Sequence, residues 1–416
     1  MQSTISTGAS IKPIWPTGSS VEQQFVLALI GVQTPKREEE WRNLYPQVDW
    51  DRLLETTRPD LYPYLHFCLQ SRSLVESCPE RCIQQLAGMR RISALQNLRL
   101  LSQFRDIQAA LAQENIPVIA LKGIALASLA YNDPSLRPMQ DTDLLIRPEH
   151  VDSTLAVVHR LGYRPPNQFR GHHFEGEIKL NKPGTRELLE LHTQIELTST
   201  VYREDGEEIW RRSVERVLPG LTMRILDEED FLLHLCLHVA RRHCFITGLL
   251  PLVDILRWVE IHNAKWNWGR FMGNPRLASY EAYVELTLEL ARDLLGVPIP
   301  LLPRSRSLAF AESKQLAWQQ ISQDRRPQTF VPFWIAELLA GDPLKTRLRR
   351  LLSRFVRKRG HVSRSVEGIS RDLLVSGHGL LKYLRSGALS RTRVQRQARL
   401  VRGQKKLEAL LRDNCK

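Results

Sequence analysis

Long apolar runs are missing from this chain: its 416 residues nowhere approach the roughly eighteen consecutive apolar positions that a membrane-spanning helix requires. The opening stretch MQSTISTGASIKPIWPTGSS also lacks the apolar block of a secretory signal, so the expected location is the cytoplasm. Cysteines number only six (Cys68, Cys78, Cys82, Cys236, Cys244 and Cys415), too sparse for a disulfide framework in a chain this long, and they read as reduced thiols. Cys78 and Cys82 have no second pair elsewhere, which argues against a zinc site there. No internal repeat is visible. With 43% hydrophobic and 25% charged residues the composition is that of an ordinary globular protein, not a disordered one, and the length suffices for two or three domains, each with its own core.

Acidic residues are scarce in one place. Of the formal net charge of +14, Leu344–Lys416 contributes +17, from 21 Lys/Arg against 4 Asp/Glu, so the rest of the chain is slightly negative. The basic character belongs to the tail and says nothing of the chemistry of the body. Within it, LKTRLRRLLSRFVRKRG sets Leu344, Leu348, Leu351, Leu352, Phe355 and Val356 on one helical face and Arg/Lys on the other. That pattern fits a helix recruiting an anionic partner, nucleic acid or membrane surface, and equally a helix packed on the body with a solvated basic face. The later run RTRVQRQARLVRGQKK has no aromatic on which a base would stack, which argues against sequence-specific single-strand recognition.

Hydrophobic periodicity divides the rest. Residues 1–20, rich in Ser, Thr, Gly and Pro, read as a flexible lead-in. Residues 21–115 read as a helical cap, most clearly where Ile92, Leu95, Leu98, Leu101, Phe104, Ile107 and Leu111 recur at steps of three and four. At 116–200 the period changes. IPVIALKG reads as a buried strand, IALASLAY as a short helix, DTDLLIR as a second strand, and PEHVDSTLAVVHRLG as a helix with Pro148 in its first turn and Gly162 at its end. HHFEGEIKLNKPGTRELLELHTQIEL reads as a hairpin around a Pro-Gly turn. Residues 201–343 are expected to be a helical domain and 344–416 a basic helical tail. The expected fold class is therefore α+β, a small mixed sheet flanked by helical regions.

Within the strand DTDLLIR, Asp141 and Asp143 lie two apart and project to one face. Two carboxylates held together repel unless a cation lies between them, and such oxygen donors suit Mg²⁺; a solvated acidic pair at a strand start is the plainer reading. Gly123, closing a strand and opening a helix with Lys122 beside it, offers backbone N–H groups and a positive helix end to a phosphate. In HLCLHVARRHC, His234 and His238 share a helix face at the spacing of a helical metal site. No general-base glutamate sits between them and no certain third ligand is visible, so a structural or substrate-lining role is preferred. His192 shares the strand face of Glu190 and reads either as touching substrate or as a core histidine.

The order strand, glycine, helix, strand with Asp-x-Asp, then a later strand with a third carboxylate is that of the polymerase-β-like nucleotidyltransferases. More narrowly, LKG followed by LAYNDPSLRPMQDTDLLIRPE, HRLGY and ELH, with LHLCLHVARRH and LLPLVDILRWV downstream, resembles the uncharacterised nucleotidyltransferase family of bacteria over about residues 90–260. The resemblance implies a small mixed-sheet nucleotidyltransferase module that transfers NMP from an NTP to a hydroxyl-bearing acceptor by in-line displacement with Mg²⁺, two ions. It makes Asp141, Asp143 and Glu190 the catalytic and metal-binding carboxylates, sets Lys122 and Gly123 against the phosphates, and gives Arg137 the triphosphate's charge to neutralise. Glu190 is chosen over Glu187, which strand alternation puts on the opposite face. One departure is that Ile124 follows Gly123 where the superfamily usually has a serine or a second glycine. Catalytic loss, leaving an adaptor that binds an anionic polymer or a partner protein through the tail, is the alternative. Relief of repulsion is expected to let Asp141→Asn and Asp143→Asn fold alike.

Overall fold

Helix-start chemistry organises the N-terminal third. In this computed structural model, which describes residues 15–166, 176–185, 188–195, 206–262, 266–274, 277, 280–302, 308–322 and 402–411, helix α1 (Val21–Ile30) opens on a capping box between Ser20 and Gln23. Helices α2 (Pro35–Leu44) and α3 (Trp50–Thr56) open on Thr34 and Asp49, whose side chains accept from backbone N–H groups three residues on. After α4 (Tyr62–Ser71), the 34-residue α5 (Glu80–Gln113) crosses the body. Of the lead-in, 15–20 are described, and Trp15 lies under the Arg37 guanidinium.

Helix α5 is where periodicity predicted, but its buried face differs from the expected one. From Phe104 onward Phe104, Ile107 and Leu111 are buried as expected, whereas Ile92, Leu95 and Leu98 are 54%, 61% and 65% exposed. Ser93, Asn97 and Leu100 face inward instead. The physical reason is the loop ahead of the aspartates. Asn97 Nδ2 donates to the carbonyls of Pro134 (2.6 Å) and Arg137 (2.8 Å), and its Oδ1 accepts from the Met139 N–H (3.1 Å). Two turns away, Arg90 pairs with Asp133 and donates to Ser135. The face of α5 turned to this loop is thus given to polar groups that pair with backbone N–H and C=O groups, which need partners where they are buried.

The sheet has six strands: β1 (Ile119–Ala120), β2 (Asp141–Leu145), β3 (Glu177–Asn181), β4 (Leu188–His192), β5 (Val214–Leu218) and β6 (Leu221–Ile225), in the order β3-β4-β2-β1-β6-β5. Pairs β2–β4 and β1–β6 are parallel and the other three antiparallel, the mixed sheet that was expected. Helices α6 (Lys122–Leu129) and α7 (Val151–Arg160) follow β1 and β2, and Gly162 takes φ +93° at the chain reversal. The hairpin β3–β4 turns through Pro183-Gly184, with Gly184 at φ +83°.

Two boundaries move. Strands β5 and β6 carry the sheet past residue 200, so 201–343 is not helical throughout; SVERVLPGLTMRIL alternates at period two around its own Pro-Gly turn. Helix α8 (Gly206–Arg212) precedes that hairpin, and α9 (Glu228–Leu237), a π-helical turn His238–Arg242, α10 (Leu250–Ile261), α11 (Trp268–Met272), α12 (Glu281–Leu295) and α13 (Leu308–Ile321) follow it. Residues 1–324 with 411–416 make one compact unit, so the divisions expected at 115 and 200 do not separate compact bodies. Helix α12 is buried along nearly its whole length, and Arg37 donates to the carbonyls of Leu27 and Leu294, tying the N-terminal helices to it. Of the second unit, 325–410, the described residues are 402–410, all helical. The amphipathic stretch from Leu344 to Val356 lies outside the described residues. Among the described residues no helix is long and apolar enough to cross a membrane, and the five described cysteines are buried free thiols.

Candidate active site

Strand register builds the site. Parallel pairing puts Asp143 of β2 opposite Glu190 of β4 and Leu145 opposite His192, while antiparallel pairing puts Lys179 of β3 opposite Glu190 and Glu177 opposite His192. Directly paired residues share a face and alternate residues return to it. Asp141, Asp143, Glu177, Lys179, Glu190 and His192 therefore project from one side of three adjacent strands. The intervening Thr142, Leu144, Leu180, Leu189 and Leu191 point to the other side and are fully buried.

The polar face neutralises itself from within. Lys122 Nζ stands 3.0 Å from Asp143 Oδ1, and His192 Nε2 is 2.8 Å from the same oxygen. Lys179 Nζ bridges Glu190 Oε1 and Glu177 Oε1, the latter at 2.7 Å, and Arg242, from the π-helical turn, pairs with Glu177 Oε2. A π turn widens the helix by one residue and frequently marks a functional site. Lys122 opens α6 at φ +39°, a left-handed conformation costing a non-glycine residue on the order of 1–3 kcal/mol. Its buried ion pair, and the Leu121 N–H bond to the Asp143 carbonyl at 3.0 Å, hold it there.

These contacts split the carboxylates. Burial pushes Asp141 up, the Asp143 charge adds to it, and the carboxyl stands at about 6 despite Lys122 and Arg137. Glu190 is driven to about 7 by burial and by Asp143. Burial also opposes the charge on Asp143, but Lys122 and the His192 hydrogen bond outweigh it and hold that carboxyl well below the ordinary range. For Glu177 the burial penalty is likewise overcome, by Lys179 and Arg242, to about 2. Asp143 and Glu177 are thus firmly ionised anchors, and Asp141 and Glu190 are the groups under electrostatic load.

Among the described residues, Asp143, Glu190 and His192 bring one ligand atom each within 4.8 Å of one another, two carboxylate oxygens and an imidazole nitrogen. That donor set fits a divalent cation. Asp141, one step along β2 on the same face, lies outside this trio and is less buried. At the carboxyl ends of β2 and β4 a cavity of about 510 Å³ opens, lined by Leu145, Arg147, Glu149, Thr193, Glu207 and Trp210 among others. Arg147 lies over the Trp210 ring at 4.8 Å.

The model of the family described as uncharacterised nucleotidyltransferase matches residues 46–296, more than half of the chain and all of the face just described. The chain belongs to that nucleotidyltransferase family. Two solved structures are similar to it. One is the antibiotic-resistance factor ANT(2″)-Ia, at 16% identity over 41% of this chain and 87% of that one, with a TM-score of 0.31. The other is an antigenic nucleotidyltransferase-like protein from Paracoccidioides brasiliensis, at 19% identity over 50% and 96%, with a TM-score of 0.33. A comparison with curated proteins gave no match.

Within this nucleotidyltransferase the residues singled out from sequence have different fates. Asp141, Asp143, Glu190, His192 and Lys122 come together. Glu187 lies outside the described residues. Gly123 is buried, and a Cβ there would meet Arg137 Nη1 at 2.9 Å and Met139 Sδ at 3.2 Å, so the glycine makes room for Arg137 to pass. Arg137 is not an ordinary surface cation but is engaged in an ion pair. Its side chain is 15% exposed, and its Nε and Nη2 donate to Asp254 of α10 at 3.1 and 3.0 Å, beside a Tyr131 hydroxyl bonded to the same carboxylate at 2.7 Å. The His234 and His238 rings lie tilted to one another with centroids 6.1 Å apart, and His238 is held neutral by burial and by the charge of Lys122 nearby; neither joins the ligand trio. Lys179, Glu177, Asn97 and Asp254 were not foreseen. For Lys179 and Glu177 a signal existed, since the Pro-Gly turn and the alternation of EIKLN already set them across from Glu190 and His192.

Proposed function

We propose that this protein transfers a nucleoside monophosphate from an NTP to a hydroxyl-bearing acceptor, releasing pyrophosphate, with a divalent cation such as Mg²⁺ held by Asp143, Glu190 and Asp141. The observation that carries the reading is the pairing of Asp143 with Glu190 across parallel strands, in a member of a nucleotidyltransferase family. Burial first, and then the neighbouring Asp143 charge, raise Asp141 to about 6 and Glu190 to about 7, a load that a cation between the carboxylates would relieve. Such an ion, or a pair of them, would supply charge for the triphosphate and activate the attacking oxygen.

The chain's own groups do the rest. Lys122 fixes the Asp143 carboxylate, and Lys179 holds one oxygen of Glu190 so that the other faces the site. A carboxylate of this set takes the acceptor's proton, and the new ester bond forms as the bond to pyrophosphate breaks. The cavity at the carboxyl ends of β2 and β4 has room for the organic part of a substrate, with the Trp210 ring as its flat wall. We place the reaction in the cytoplasm, in keeping with the buried free thiols, and assign the +17 tail to an anionic partner. Labelled ATP, GTP, CTP and UTP incubated with lysate fractions and Mg²⁺ test the reading. Label should move to an acceptor with the native chain and not with Asp143→Asn or Glu190→Gln; equal transfer by both variants would remove the assignment.

A further inference from the structure

We propose that His192 is itself a ligand of the cation in this site, through Nε2, and that the site consequently takes a transition-metal divalent ion in preference to Mg²⁺. The inference rests on the reading of Asp143 and Glu190 as cation-holding carboxylates. It goes beyond it by adding a nitrogen donor to the carboxylate set, which an all-carboxylate site lacks.

Three observations carry it. His192 and Glu190 are two apart on β4, and Glu190 is paired with Asp143, so the imidazole and both carboxylates converge from one sheet face without any loop intervening. His192 Nε2 lies 2.8 Å from Asp143 Oδ1 and 3.9 Å from Glu190 Oε2. A hydrogen bond explains the first distance but not the second, which is too long for one. Donors sharing an ion at about 2.1 Å stand about 3 Å apart at right angles and farther apart when the angle opens, and the two distances bracket that value. Finally, the outer contacts are already arranged. Lys179 takes Glu190 Oε1 and leaves Oε2 turned toward His192, while Lys122 fixes Asp143. Metal-ligating groups are ordinarily held by such outer bonds.

The chemistry of selection follows from the donor atom. Coordination through Nε2 requires the imidazole proton on Nδ1, and the Nε2 contact with Asp143 is then replaced by two bonds to a common ion. Mg²⁺ prefers oxygen and gives up its water reluctantly. An imidazole nitrogen favours the first-row transition metals. Mn²⁺ is the probe of choice because its unpaired electrons report directly on a bound nitrogen.

The full chain, stripped of metal, is titrated with Mn²⁺ and with Mg²⁺, and the Mn²⁺ complex is examined by pulsed electron paramagnetic resonance. Mn²⁺ is expected to bind about tenfold or more tighter than Mg²⁺, with a ¹⁴N coupling of a directly bound imidazole. In His192→Gln the coupling should vanish and Mn²⁺ affinity fall about tenfold, while Mg²⁺ affinity changes less than about threefold. The wild-type spectrum decides the question even should the variant fail to fold. Mn²⁺ bound without ¹⁴N coupling, or with a coupling that survives His192→Gln, overturns the role of His192 while leaving the carboxylate site standing if Glu190→Gln abolishes binding. Failure of Mn²⁺ and Mg²⁺ to bind at all, or binding untouched by Glu190→Gln, overturns this inference together with the reading beneath it.

Discussion

Asp141 and Asp143 are two residues apart, chemically identical and on one face, yet their surroundings give them opposite parts in stability. Asp143 is paired with the buried Lys122, so Asp143→Asn strands an ammonium in the interior and is expected to cost about 3–5 kcal/mol. Asp141 is under load and, among the described residues, makes no ion pair of its own, and Asp141→Asn should stabilise the metal-free protein, on the order of 1 kcal/mol given its partial exposure. Urea unfolding of both variants checks the split, and equal midpoints would mean that repulsion alone governs the pair, as charge spacing in the sequence suggested. Glu190 adds a pH dependence with a definite sign. Its carboxyl is raised from 4.5 to about 7 in the folded state, so the folded form binds more protons than the unfolded one in that window. Stability attributable to Glu190 is full below about 4.5 and lost as pH rises to about 7. Glu190→Gln should therefore gain relative to wild type across that interval without metal, while transfer activity falls by orders of magnitude; a gain independent of pH would remove the electrostatic account.

At the scale of elements, the site depends on α5 as much as on the strands. Asn97 makes three bonds to the loop that delivers β2, so Asn97→Ala takes the side-chain partner from the Arg137 carbonyl and from the buried Met139 N–H, while the Pro134 carbonyl keeps its bond from the Arg137 N–H. The substitution should cost about 1–3 kcal/mol and depress turnover, because the aspartates are positioned through that loop. Thermal midpoints and kcat measured together check this, and a variant of normal stability and normal kcat would refute it. The same residue explains what sequence could and could not disclose. Period-two alternation and the Pro-Gly turn made β2, β3 and β4 legible, and with them the face holding Asp143 and Glu190. The helix α5 was legible too, but not its rotation. Apolar periodicity assumes that the apolar stripe faces the core, and here Asn97 and Ser93 take that position while Ile92, Leu95 and Leu98 face outward. Arg137 escaped for a related reason: its partner Asp254 is 117 residues away, and a long-range ion pair leaves no local pattern. The hairpin β5–β6 had the alternation and the turn, but lay between segments whose helical periods dominate.

Charge is distributed over the whole molecule so that the body is slightly negative and the tail strongly positive. A polyanion meeting the tail releases condensed counterions for each phosphate neutralised, so binding through it should fall steeply with salt. Deleting the tail is a poor test of that idea alone, because Leu407 and Leu411 are fully buried. At about 1.5–3 kcal/mol for each fully buried large apolar side chain, truncation should also lower the melting temperature. Charge can be removed without touching those leucines by replacing Arg391, Arg393, Arg396 and Arg399 with Gln. If the tail recruits an anionic partner, the substituted protein should lose affinity for single-stranded RNA or anionic vesicles and show a shallower salt slope. Its melting temperature and divalent-dependent NTP binding should be unchanged, since the carboxylate face lies some 200 residues upstream and draws its counter-charges from Lys122, Lys179 and Arg242. Polyanion affinity preserved after loss of the four arginines, or lost only together with the melting temperature, would assign the tail to the fold and not to recruitment.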